Sequence, residues 1–228
     1  KFVLSTDDEI RKITRAGIRN VVIDCSKGID VEEAPTLAEA QAKTEAEVTA
    51  IASKPIKLVR TSLGDELQRA VGIRRQAVNL VRTVMQDARL GKAIELDRVG
   101  SVVEDITASI LRNPGALLGL LRIKNKDDYT FLHSVSVCTL LVAFCRARGI
   151  DAATSYQAGL GGLVHDVGKA LVPDQILNKP GRLTEEEFAV IRKHPKDGYE
   201  ILKKIDGIGQ IPLDITLHHH ERFDGSGY

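Results

Sequence analysis

From Thr61 onward the apolar residues return every third or fourth position, and no run alternates over the length of a strand. A 3.6-residue period lines one face of a helix, whereas a half-buried strand needs a period of two. Most of this chain is therefore expected to fold as packed helices. Leu63, Leu67, Ala70 and Val71 open one amphipathic helix that continues through Val78, Val81 and Met85. Leu96, Val99, Val102, Val103, Ile106 and Ile110 set the next, stopped by Asn113-Pro114-Gly115. Further helices are expected near 128–148, 152–169 and 184–204, with turns at Gly149, at Pro180-Gly181 and around Gly207. Thr184-x-x-Glu187 is a capping box for the last of them.

The first residues read differently. Phe2-Val3-Leu4 and Val21-Val22-Ile23-Asp24 are short apolar runs. Between them Thr6-x-x-Glu9 is a capping box leading into a stripe of Ile10 and Ile13. Residues 1–35 thus read as a small strand-helix-strand domain. Residues 36–60, rich in Ala, Glu, Lys and Thr with few large apolar side chains, read as a linker. The expected fold class is mostly α: a helical domain over 61–228, preceded by a small α/β N-terminal domain.

Composition removes several function classes. A net charge of +1 leaves no basic footprint for nucleic acid. Aromatic residues at 4%, with no Trp, offer few platforms for base stacking. Neither DNA nor RNA is therefore expected as a partner. The longest apolar run, TLLVAF at 139–144, is far short of the ~20 residues of a membrane helix. The opening KFVLSTDDE has no apolar core of a secretion signal. A cytoplasmic protein without a membrane segment is expected. Cys25, Cys138 and Cys145 are odd in number and widely spaced, as reduced, buried thiols are.

All six histidines (His133, His165, His194, His218, His219 and His220) fall after residue 132. One histidine alone is most simply a satisfied core or surface residue. Six confined to one helical domain, one of them followed directly by Asp166, point to a shared site. Val164 and Val167 flank the His165-Asp166 pair, so its surroundings are apolar. A buried carboxylate there needs a cationic partner, which a metal ion supplies. Imidazole and carboxylate ligands suit iron, manganese or zinc. Adjacent helical residues project ~100° apart, so both side chains can converge on an ion between them, and Asp166 can bridge two ions. Lys169 lies four after His165 on the same face, where it either forms a surface salt bridge or meets a phosphate oxygen.

HDVGK at 165–169, ILNKPGRLTEEEFAVIRKHPKDGYEIL at 176–202 and HHERFDGSGY at 219–228 together resemble the HD-GYP family of HD phosphohydrolases. The likeness runs from about residue 120 to the end, and the N-terminal stretch looks like an accessory domain of unknown function. The resemblance implies a cyclic di-GMP phosphodiesterase, yielding the linear dinucleotide and/or GMP, with two divalent ions, iron or manganese. Carried over residue by residue, it implies His133, His165, Asp166, His194, His219 and His220 as metal ligands, with Asp166 bridging and His218 left out. Asp166 and Lys169 would be catalytic, and Lys169, Gly225, Gly227 and Tyr228 would bind substrate. Tyr129 stands where three-metal members carry Glu, which favours two ions. The family's further Asp ligand, beyond the GYP loop, is not reached by this sequence, so the helical domain is expected to be incomplete at its C-terminus. Signalling proteins docking on the GSGY loop and a homodimer are further partners implied. Two rival readings are an inactive HD-fold module that senses nucleotide or recruits a partner, and a mononucleotide hydrolase, which the GSGY and KPGRLTEEE blocks disfavour.

Overall fold

The computed structural model describes residues 6–15, 36, 39, 42, 60–122 and 129–228. The chain divides into two compact units, Lys1–Glu47 and Val48–Tyr228. The smaller contains helix α1, Asp7–Arg15. Half of its expected capping box forms: the Thr6 backbone N–H and hydroxyl donate to Glu9 Oε2 at 3.1 and 3.2 Å, while the Glu9 N–H bonds the Thr6 carbonyl rather than its hydroxyl. The strands expected at 2–4 and 21–24, and nearly all of the linker 36–60, lie outside the described residues. Among the described residues there is no strand, and the architecture is mostly helical.

The larger unit opens with α2 (Leu63–Arg89), capped by the Ser62 hydroxyl, which accepts from the Asp65 N–H at 3.2 Å. Its buried stripe differs from the expected one over the first two turns. Leu63, Leu67 and Val71 are exposed, while Glu66 and Ala70 point inward. The cause is the Arg112 guanidinium on the neighbouring helix, which donates to both Glu66 oxygens at 2.7 and 2.8 Å and rotates that face inward. From Val78 through Val81 to Met85 the expected stripe is buried.

Helix α3 (Leu96–Arg112) buries Val99, Val102, Val103, Ile106 and Ile110 as its spacing predicts. The Asn113-Pro114-Gly115 stop also starts a short helix, α4 (Pro114–Leu121), because Asn113 caps it and Pro114 needs no N–H in the first turn. Helix α5 spans Tyr129–Ala147 and α6 spans Ala152–Val164. The stretch Thr130–Ala147 of α5 is by length and composition apolar enough to cross a membrane, at mean hydropathy 1.5. Here Val135, Cys138 and Val142 of that stretch are buried in the common core with Leu160 and Leu163 of α6, while Leu140 and Phe144 of the same stretch are exposed. Each such fully buried aliphatic side chain contributes about 1.5–3 kcal/mol. Cys138 and Cys145 are free and buried, and burial pushes the Cys138 thiol up to about 12.

Two expected helices are broken. The stretch 152–169 is α6 followed by a separate 3₁₀ turn, Val167–Leu171. The stretch 184–204 is α8 (Glu185–Ile191), opened by the Thr184/Glu187 capping box, and then α9 (His194–Leu202). Pro195 explains the second break, since it lacks an N–H and belongs in the first turn of a new helix. Helices α7 (Asp174–Leu177) and α10 (Gln210–His218) complete the unit. The core packs α5 and α10 along α6, and sets α9 against the 3₁₀ turn. Those contacts bring the ends of four elements to one place.

Candidate metal centre

The place is the break after α6. His165 is the C-cap of that helix, and Asp166 leads into the 3₁₀ turn with φ −91° and ψ 7°. The pair therefore sits at a corner rather than inside one continuous helix. Gly168 makes the corner fit: a Cβ there would collide with the His194 carbonyl at the start of α9. That approach delivers His194, fully buried, to the Asp166 carboxylate. The end of α10 delivers His219 and His220, which follow the last helical residue, His218. The first turns of α5 deliver His133.

Asp166 is 2% exposed, and its two oxygens face different neighbours. Oδ2 accepts from Lys169 Nζ at 2.8 Å, with His165 Nε2 at 3.3 Å and His133 Nε2 at 4.0 Å. Oδ1 faces His194 Nε2 at 3.3 Å and His219 Nε2 at 3.6 Å, yet has no hydrogen-bond partner. The tautomers explain why. Nδ1–H of His165 donates to the Gly162 carbonyl at 2.9 Å, that of His194 to Ile191 at 2.7 Å, and that of His219 to Thr216 at 2.9 Å. A carbonyl only accepts, so Nδ1 carries the proton and a neutral ring presents a bare Nε2. Bare nitrogens thus crowd an anionic carboxylate, and two of them, on His194 and His219, stand 3.1 Å apart. Only a cation between them removes the repulsion, either a proton or a metal ion.

A metal fits better than a proton. The ligand atoms of His133, His165 and Asp166 lie within 4.8 Å of one another, and so do those of His194, His219 and His220. Asp166 joins the two sets, one oxygen to each. Nδ1 hydrogen bonds to backbone carbonyls are also how metal-binding imidazoles are usually oriented. Burial pushes the Asp166 carboxyl up, but positive charge at His165, His194 and His219, which as protonated rings donate to it, outweighs burial and holds the group below the usual carboxylate range. Burial and the neighbouring His219 and His194 push His220 down to about 4. Burial also lowers His133, against the pull of Asp166. The basic forms that ligate metal are thereby favoured.

His218 is exposed and belongs to neither set. In the GSGY turn Gly225 has φ +73°, and Gly227 sits where a Cβ would strike the His220 carbonyl. Tyr228 lies on the His220 ring, with centroids 4.5 Å apart and planes 13° from parallel. Sequence reasoning did not single out Phe188 or Arg192, which both touch the Tyr228 ring. Arg192 stands two residues before His194, and no spacing rule marks it.

Residues 120–228 match the family model of the HD domain, and residues 1–99 match that of a domain of unknown function, DUF3391. Over all of its length the chain is 39% identical to a cyclic di-GMP phosphodiesterase of Pseudomonas aeruginosa. Over residues 120–228 the chain is thus similar to HD-domain proteins. It spans about half the length (54%) of that Pseudomonas relative. Over 104 residues, 45% of this chain and 28% of the relative, it is 38% identical to a cyclic di-GMP phosphodiesterase of Thermotoga maritima. A 3'3'-cGAMP-specific phosphodiesterase of Vibrio cholerae is 38% identical over 103 residues, 45% of this chain and 24% of the relative. Among solved structures, an HDG"Y"P protein from Bdellovibrio bacteriovorus shares the fold with a TM-score of 0.58 at 21% identity, covering 83% of this chain and 60% of that one.

Proposed function

We propose that this chain belongs to an HD-GYP protein, a metal-dependent phosphodiesterase that hydrolyses cyclic di-GMP to the linear dinucleotide and/or GMP. One observation carries the reading: a buried carboxylate whose two oxygens face two separate sets of bare imidazole nitrogens. Relatives named as cyclic di-GMP phosphodiesterases support the choice of substrate. His133 and His165 would hold one divalent ion, His194, His219 and His220 the other, and Asp166 would bridge them. The nitrogen- and oxygen-only ligand set suits iron or manganese. Bound there, such ions act as Lewis acids toward phosphoryl oxygens and lower the pKa of a water to near neutral.

The protein's own residues do the rest. Asp166 is held ionised by positive charge gathered in the histidine cluster around it, so it serves as an anionic ligand. The backbone carbonyls of Gly162, Ile191 and Thr216 keep Nε2 of three rings turned inward. Lys169 is one-fifth exposed and places its ammonium beside the carboxylate, where it meets negative charge developing on a phosphoryl oxygen. The oxygen of a water adds to phosphorus, the bond from phosphorus to one bridging ribose oxygen breaks, and that oxygen leaves as a hydroxyl carrying the proton the water gave up.

The test is turnover by the full-length protein, stripped of metal and then reloaded with manganese or ferrous iron. Linear dinucleotide or GMP should form only after reloading. Full turnover in chelator would refute the metal dependence, and tight binding of cyclic di-GMP without product would favour a sensing module. Because one relative is specific for 3'3'-cGAMP, that dinucleotide is the competing substrate to run beside cyclic di-GMP.

A further inference from the structure

Three of the five imidazoles around Asp166 are fixed by a hydrogen bond to the carbonyl three residues earlier. His220 is not. Its half-buried ring makes no hydrogen bond among the described residues, although it sits 4.3 Å from the His219 ring and 5.0 Å from the His194 ring. An unfixed imidazole in such a cluster can turn its nitrogens away from the centre. What covers it instead is Tyr228, stacked at 4.5 Å and nearly parallel.

The stack is built rather than incidental. The chain returns on itself after His220, and the Tyr228 N–H donates to the His220 carbonyl at 3.3 Å. Gly227 permits that return, since any side chain there would strike the same carbonyl. The Tyr228 ring is itself held: the Arg192 guanidinium lies over it at 4.9 Å, and the Phe188 ring meets it edge-on at 6.0 Å. Arg192 also lies over Phe188 at 5.8 Å, so α8 presents both as one support. Near-parallel rings and cation–π contacts each favour one plane over others, by amounts comparable to a weak hydrogen bond.

We infer that Tyr228, backed by Arg192, is a positioning residue that sets the ring plane of His220 by stacking, in place of the backbone hydrogen bond that sets the rings of His165, His194 and His219. The inference rests on His220 being a metal ligand, as proposed above. It assigns Tyr228 a partner inside the protein, where the family resemblance implied one in the substrate.

The test uses the full-length protein with Mn²⁺ alone as probe, and compares Tyr228→Phe, Tyr228→Leu, Arg192→Met and His220→Ala. Tyr228→Leu should weaken Mn²⁺ binding by about tenfold or more, the usual cost of losing a group that orients a ligand. Tyr228→Phe keeps the ring and should keep the affinity, with Arg192→Met between the two. In the metal-free protein, the His220 ring-proton resonances should carry the ring-current shift of Tyr228 in wild type and Tyr228→Phe, and lose it in Tyr228→Leu. Wild-type affinity in Tyr228→Leu would overturn the proposal. So would Phe behaving like Leu, which would give the role to the hydroxyl. If His220→Ala binds Mn²⁺ as wild type does, the metal-ligand reading fails and the proposal with it. The metal-free spectra would then still report the stack, so the two failures are told apart.

Discussion

Among the described residues two carboxylates are buried in the helical unit, Glu66 and Asp166, and they are treated in opposite ways. Glu66 is fully buried with both oxygens satisfied: Arg112 donates to each, Ser109 adds a bond at 2.8 Å and Thr61 another at 3.2 Å. Asp166 is as deeply buried, yet one oxygen is left with imidazole nitrogens that have no proton to give. The first is a closed fastener between the start of α2 and the end of α3. The second is an open valence. Burial alone therefore does not mark a functional acid in this protein; what surrounds it does.

The sharpest way to break this comparison is to delete each carboxylate in turn. Asp166→Ala should lower turnover by about 10³-fold with loss of bound metal, since the group proposed to join both ions is gone. It should cost the metal-free protein less stability than Glu66→Ala does. Glu66→Ala strands the Arg112 charge and should cost about 3–5 kcal/mol in urea denaturation, while metal content is kept. If the two variants exchange these signatures, the assignment of roles is wrong.

Lys169→Ala comes next. It should lower turnover by about 10²-fold with metal-to-protein ratios unchanged. Normal turnover would reduce Lys169 to its ion pair with Asp166.

A smaller effect separates the two acids by pH. Hydrogen bonding by Arg112 outweighs burial, and with Ser109 it holds the Glu66 carboxyl below its ordinary value. A depressed carboxyl stabilises the fold above its unfolded pKa, and this contribution is lost as pH falls through the folded one. Glu66→Gln should accordingly be less stable than wild type by about 1–3 kcal/mol at pH 7, and the gap should shrink as pH falls below about 4. A gap that stays constant with pH would mean that Glu66 acts by shape rather than charge.

The smallest effect is expected at His218. His218→Ala should keep metal and activity, whereas His219→Ala and His220→Ala should each lose both, as read by metal analysis on folded protein. Metal loss in His218→Ala but not in His220→Ala would shift the ligand register by one.

Much of this was legible in the sequence. The periodicity of α3 and the later turns of α2 described their buried faces, because an amphipathic stripe is a local property. The capping box at Thr184 formed as spaced, and that at Thr6 formed by half. The first turns of α2 depart from the expected stripe of Leu63, Leu67 and Val71 because the partner that draws Glu66 inward lies 46 residues away. The His165-Asp166 corner was misread as mid-helix because its cause, the close approach of Gly168 to α9, is a contact between distant segments.

By itself the sequence determined the helical class, the clustering of the histidines beside Asp166 and the resemblance to a family, since composition, periodicity and motif order are all linear quantities. Only the tertiary structure decided how these side chains are grouped. It placed one Asp166 oxygen toward each histidine set, brought His194 and His219 together across 25 residues, and laid Tyr228 on His220 rather than leaving it free. The physical reason is that a hydrogen bond, an ion pair or a ring stack depends on distances of a few ångströms. Such distances between remote residues are set by which helix faces pack, and by where each helix is made to stop.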